Sequence, residues 1–135
     1  PYKEMIANNM VDAVMTAHIV NRNLEPDNHP STLSWKVQTG ILRDSLGFRG
    51  VIFSDDMNMH AIASHYGVEE AFLMAINAGV DVLMFSNNII DSETQTVDHI
   101  HAMIKQMVYD GDLTYERIAL SYQRILTLKG MFMEE

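Results

Sequence analysis

The chain has 135 residues, 47% of them hydrophobic and 20% charged, and a net charge of −9. That is enough for one domain with a sizeable core, too little for two, and far from the composition of disordered chains. The 9 Lys and Arg are scattered singly, which sets nucleic acid and anionic membrane surfaces aside as partners, and the absence of cysteine excludes disulfides, thiolate metal sites and a Cys nucleophile.

No apolar run approaches the roughly 20 residues that cross a bilayer, and no signal segment opens the chain, so we expect a cytoplasmic location. The first residue is Pro1 and not Met, from which we expect a piece cut from something longer. The 11 Met read as fillers of core gaps.

In chain order, Met5, Ile6 and Met10 predict a short amphipathic helix over 2–10. "VDAVMTAHIV" (11–20) reads as a short buried strand with His18 near its end. "NRNLEPDNHPSTLS" (21–34) is a loop by its content of Asn, Asp, Pro and Ser, and Ser31, Thr32 or Ser34 is placed to cap the helix that follows. Trp35, Val37, Ile41 and Leu42 supply that helix with apolar positions, and Gly47 is placed to end it. After Gly50, "VIFS" is the continuous apolar run of a strand buried on both faces. "VEEAFLMAINAG" (68–79) is a helix with acids in its first turn and Gly79 at its end. "VDVLMFS" (80–86) is a third strand. Val97, Ile100, Met103 or Ile104, and Met107 mark a further helix that "DGD" (110–112) breaks, and Thr114 caps a last helix carrying Ile118, Tyr122 and Ile125.

Strands alternating with helices in this way make parallel βα units, whose active residues gather at the C-terminal ends of the strands. His18, Ser54 with Asp55, and Ser86 with Asn87 all fall at such ends, on one rim. A (β/α)8 barrel takes about 250 residues, so the expected fold is α/β, the C-terminal portion of a TIM barrel with its last three strands, as a single partial domain over 1–135. A small open doubly wound sheet is the alternative. No Gly-rich turn follows the strand at 50–54 and no Walker lysine is present, which argues against a nucleotide cradle.

"GVIFSDDMNMH" (50–60) carries two adjacent carboxylates, Asp55 and Asp56, at a strand end. Neighbours in an extended strand point to opposite faces, so at most one of them works in a site and the other caps, binds backbone amides or faces solvent. A metal reading would combine Asp55, Asp56 and His60, but no HExxH or similar motif supports it. His99 and His101, two apart on a helix, share no face and read as solvent-facing; His29 and His65 lie in loop or cap regions. His18 is either a hydrogen-bonded structural residue or part of a pocket. Ser54 lies in no G-x-S-x-G elbow, which argues against a serine-hydrolase triad.

"ILRDSLGFRGVIFSDDMNM" (41–59) resembles the signature of glycoside hydrolase family three: two aliphatics, a basic residue, Gly, three apolar residues, Ser or Thr, then Asp. Here these are Ile41, Leu42, Arg43, Gly50, Val51 to Phe53, Ser54 and Asp55, with Ser45 standing where a charged or amide side chain is usual. "AVMTAHIV" (13–20), the 30–34 stretch and "AINAGVDVLMFSNN" (75–88) are similar to the bacterial β-N-acetylglucosaminidase (β-hexosaminidase) branch. The resemblance implies a TIM-type barrel and a retaining exo-β-N-acetylglucosaminidase acting on peptidoglycan or chitin-like fragments, with a cytoplasmic place in peptidoglycan recycling. It also implies an N-acetylglucosamine-containing saccharide as partner, Asp55 as nucleophile, His18 as a pocket-lining, substrate-binding residue at best, and no cofactor or metal. The branch's acid/base, an Asp–His pair on an earlier loop, has no counterpart here, so we expect this piece to be inactive alone and to pair its open sheet edges in a homodimer. The competing reading is a non-catalytic α/β domain of the same barrel that binds a carbohydrate or a partner.

Overall fold

Three apolar runs pair side by side as a parallel sheet in the computed structural model, which describes residues 1–59, 62, 65–86 and 96–133. The strands are β1 (Ala13–Met15), β2 (Val51–Asp56) and β3 (Val82–Met84), in spatial order β1-β2-β3. β2 lies in the middle and is the most buried, with Val51, Ile52 and Ser54 fully enclosed, as its unbroken apolar run demands. Ala13 pairs with Val51, Val14 with Ile52 and Met15 with Phe53. On the other side Phe53 pairs with Val82 and Asp56 with Met84, so β2 spends one residue more than β3 over that interval. That is a bulge, placed at Ser54 and Asp55.

The helices are α1 (Tyr2–Ala7), α2 (Lys36–Ser45), α3 (Val68–Ala78), α4 (Val97–Asp110) and α5 (Tyr115–Gly130), with a 3-10 turn at Ser31–Leu33. α2 is wound as a π-helix, and the Leu46 amide reaches five residues back to the Ile41 carbonyl at 2.9 Å. α3 ends at Gly79, φ 116°, and α4 at Gly111, φ 87°, left-handed caps that glycine adopts without a Cβ penalty. Thr114 caps α5 by accepting the Arg117 amide at 3.1 Å, as expected. Ser34 accepts the Val37 amide at 3.1 Å and so satisfies the first turn of α2. Ile52, Phe48, Phe72, Ile76, Val80 and Met107 form the centre of the core.

Several expectations from sequence are corrected. The first helix stops at Ala7, since Asn9 turns left-handed at φ 54°, and of its apolar residues only Ile6 is buried. β1 covers three residues and not 11–20, and it is a half-exposed edge, Met15 being 66% exposed. His18 therefore lies in the loop after β1. β3 is likewise shorter than 80–86. Trp35, Val97 and Tyr122 face outward, so helical spacing alone overstated their burial.

At the N-terminal ends of the strands sits a feature the sequence reading did not single out. The Asp81 carboxylate has no exposure and faces three arginines: Arg43 at 2.6 Å, Arg124 at 3.0 Å and Arg117 at 3.6 Å. It also accepts the Ile52 amide at 2.9 Å and the Ser121 hydroxyl at 2.6 Å. Arg43 reaches the Gly50 and Gly79 carbonyls, and Arg117 those of Ile76 and Val80. One buried carboxylate thus fastens α2, the starts of β2 and β3, the end of α3 and α5 together.

Candidate active site

The opposite, C-terminal end of β2 carries the two adjacent acids. Their carboxylates have different surroundings. Asp56 Oδ1 accepts the Asn58 amide at 3.0 Å and the Ser86 amide at 2.9 Å, and Oδ2 accepts the Ser86 hydroxyl. Burial pushes this carboxyl upward, but the Ser86 hydroxyl, the Ser86 and Asn58 amides and the nearby His18 together outweigh it. The result lies below the ordinary 3.8. Asp55, half-buried, has its Oδ1 on the Asp56 amide at 2.8 Å. Strict alternation was the sequence-based reason for separating the two acids, and the bulge interrupts that alternation at this point. What separates them is hydrogen bonding: Asp56 is occupied by three donors from two segments, while among the described residues Asp55 is held by its neighbour's amide alone.

The three polar strand ends expected on one rim do meet, and they meet at Asp56. Ser86 follows β3 and bonds the carboxylate; His18 follows β1 and its Nε2 donates to the Asp56 carbonyl at 2.9 Å. Because a carbonyl only accepts, Nε2 carries the hydrogen of this contact, which leaves Nδ1 as the other ring nitrogen. That Nδ1 is buried and without a hydrogen-bond partner among the described residues. His18 lines a cavity of about 390 Å3 together with Arg22, Asn28, His65 and Tyr66. Tyr66 also meets His29 Nδ1 at 3.2 Å. A larger cavity of about 580 Å3 lies at the other end of the strands, lined by Asp12, Gly50 and Arg124, and is remote from Asp55.

Asn87 and His60 lie outside the described residues. Among the described residues no cluster of three or more His, Asp or Glu is arranged to hold a metal ion. The solvent-facing positions expected of His99 and His101 are observed, since both are exposed. No helix among the described residues is long and apolar enough to cross a membrane. The sequence reading missed Ser86 as the partner of Asp56 and Asp81 as a buried charge. The signal for the second was available, since an Asp inside the apolar run "VDVLMF" is costly unless paired.

Residues 1–128 match the glycosyl hydrolase family 3 N terminal domain. The chain belongs to this family. It is 30% identical over 147 aligned residues to a β-hexosaminidase of Actinobacillus pleuropneumoniae serotype 3, covering 99% of this chain and 42% of that protein. It is 39% identical over 88 residues to a β-hexosaminidase of Tolumonas auensis, covering 65% of this chain and 26% of that protein. A glycoside hydrolase family 3 β-N-acetylglucosaminidase from Paenibacillus superposes with a TM-score of 0.81 at 38% identity, over 96% of this chain and 24% of that one. The chain thus spans well under half the length of these relatives. The family signature in which Asp55 and Gly50 were read lies inside the matched region, and the parallel sheet is of the kind that this domain contains.

Proposed function

We propose that the chain is the nucleophile-bearing, C-terminal portion of a TIM-barrel exo-β-N-acetylglucosaminidase with a retaining mechanism. The observation that carries the reading is the division of labour between the adjacent acids: Asp56 is consumed by Ser86 and Asn58, and Asp55 is the half-buried carboxylate left at the C-terminal end of the central strand. The family membership supports it, and relatives named as β-hexosaminidases and a β-N-acetylglucosaminidase support N-acetylglucosamine-terminated saccharides as the substrate class, whether peptidoglycan fragments or chito-oligosaccharides.

In this reading an Asp55 oxygen attacks the anomeric carbon as the bond to the leaving oxygen breaks, giving a glycosyl ester. A proton donor protonates the leaving oxygen, then takes a proton from the water that displaces Asp55 from the sugar. The Asp56 amide donates to Asp55 Oδ1 at 2.8 Å and so orients that carboxyl before attack. His18, whose Nδ1 is buried without a hydrogen-bond partner among the described residues and which lines a cavity with Arg22 and Tyr66, is a pocket-lining residue in this reading. The Asp–His pair that serves as acid/base in this branch has no match in the 135 residues, and that role falls to residues outside this sequence.

A fluorinated N-acetylglucosaminyl fluoride tests the assignment, because fluoride departs without a proton donor and the ring fluorine slows hydrolysis of the ester. Mass spectrometry of the digested protein is expected to place one sugar on Asp55, with Asp55→Ala unlabelled and Asp56→Ala still labelled. No adduct, an adduct on another residue, or equal loss in both variants would sink the reading and favour a domain that binds without turnover.

A further inference from the structure

We propose that Asp56 is the positioning residue for the Asp55 carboxylate, and that it acts by tying the end of β2 to the segment after β3 through Ser86. The inference rests on the reading of Asp55 as nucleophile and goes beyond it, since it gives the second acid a part in the reaction.

The argument starts at the bulge. An extra residue in β2 between Phe53 and Asp56 disrupts the regular ladder to β3 just where Asp55 sits. A strand end loosened in this way would let the Asp55 carboxylate wander. The backbone ladder resumes only where the Met57 amide meets the Met84 carbonyl at 2.9 Å, and side chains reinforce it across the bulge. Ser54 Oγ accepts the Met84 amide at 2.8 Å, and two residues further along β2 the Asp56 carboxylate takes the Ser86 amide at 2.9 Å and the Ser86 hydroxyl. Asn58 Nδ2 returns the tie by donating to the Ser86 carbonyl at 3.0 Å.

On the other flank the Asp56 carbonyl accepts His18 Nε2 at 2.9 Å, anchoring the same residue to the loop after β1. The remaining polar group of Asp56 is its amide, and this is the group that orients Asp55 Oδ1 at 2.8 Å. Every polar group of Asp56 is therefore engaged: carboxylate and carbonyl hold the residue still between the two outer strands, and its amide aims the nucleophile. Attack at a sugar carbon requires the reacting atoms about 3–3.5 Å apart and aligned, and a misplacement of about 1 Å costs on the order of 10²-fold in rate.

The test uses the 135-residue chain and the same fluorinated N-acetylglucosaminyl fluoride, following adduct formation by intact mass against time and reagent concentration. Asp56→Ala is expected to lower the limiting rate of labelling about 10- to 100-fold while the half-saturating concentration stays unchanged. Asp56→Asn keeps one carbonyl acceptor for the Ser86 and Asn58 amides and is expected to recover much of that loss. Ser86→Ala removes the hydroxyl but keeps the amide and is expected to fall between Asp56→Ala and the unaltered chain; it also carries the test if Asp56→Ala does not fold. A purely structural Asp56 would lower the urea midpoint and leave the limiting rate unchanged well below that midpoint, which overturns the proposal. So does an Asn variant as slow as the Ala variant, since charge and not placement would then be at work. Absence of any adduct on the unaltered chain instead removes the nucleophile assignment itself, and a labelled chain with indifferent variants removes the positioning role alone.

Discussion

Replacing Asp81 by Ala removes a carboxylate with no exposure from the middle of three arginines. The three lose unequally. Arg117 and Arg124 are 15% and 16% exposed in their side chains and can turn toward water; Arg43, at 5%, cannot. Stranding one buried charge of this kind costs about 3–5 kcal/mol. The Ile52 amide, inside a fully buried strand residue, loses its 2.9 Å acceptor for about another 1 kcal/mol or more. Against a total stability on the order of 5–15 kcal/mol for a domain, Asp81→Ala is expected to leave the chain largely unfolded or near its threshold. Urea unfolding followed by far-UV circular dichroism at 25 °C reads the change. The double variant Arg43→Met with Asp81→Ala is the decisive control, because it removes the stranded charge and should regain a substantial part of the loss. If Asp81→Ala costs less than about 1 kcal/mol, or if the double variant is no more stable than Asp81→Ala, the network does not hold the fold in the way described.

Other outcomes follow from close contacts and ionisation. A Cβ on Gly50 would lie 2.1 Å from the Asp12 carbonyl oxygen and 2.7 Å from the Phe48 ring, so Gly50→Ala is expected to cost about 3 kcal/mol or more. Gly47→Ala, at φ 77° with open space around it, should cost only about 1–2 kcal/mol, and comparable thermal shifts for the two would refute the contact argument. The Ser34 hydroxyl, outweighing burial, holds Glu25 below its ordinary 4.5, and Asp56 lies below 3.8. Carboxyls held low when folded contribute stability that is whole above those ordinary values and is lost as the pH falls through the lower, folded ones. The urea midpoint should therefore drop below about pH 4, and less steeply in Ser34→Ala or Ser86→Ala; a midpoint that rises on acidification would contradict this. The 135-residue chain by itself is expected to show no appreciable turnover of an aryl N-acetylglucosaminide, since general acid catalysis alone is worth about 10²–10⁴-fold. Robust release of the aryl alcohol would overturn the view that the proton donor lies outside these residues.

The parts of the fold most legible in the sequence were those fixed by local chemistry. α3 was bounded correctly because acids at its start and Gly79 at its end mark both termini, and Thr114 announced α5 in the same way. β2 was recognised because a run that is apolar at every position has few homes except the middle of a sheet. β1 is shorter than its sequence suggests: "VDAVMTAHIV" is β-prone throughout, yet only three of its residues find a partner strand, because propensity does not say where pairing stops. The candidate site was half legible. The signature singled out Asp55, but the role of Ser86 depends on a bulge and on two strand ends brought together from 30 residues apart, which no pattern of single residues encodes.

The position of α5 bears on the order in which the molecule can be finished. Ile52, in the strand that carries Asp55, is aligned by Asp81 Oδ2, and the other oxygen of that carboxylate is met by Ser121 and Arg124, 40 and 43 residues later in the chain. As the polypeptide leaves the ribosome, β2 and β3 emerge before these donors do. Until the last helix emerges, a buried carboxylate has only part of its company, and the strand it steadies is provisional. The arrival of α5 thus completes the support of the central strand, and a chain stopped short of α5 would carry Asp55 on an unfinished one.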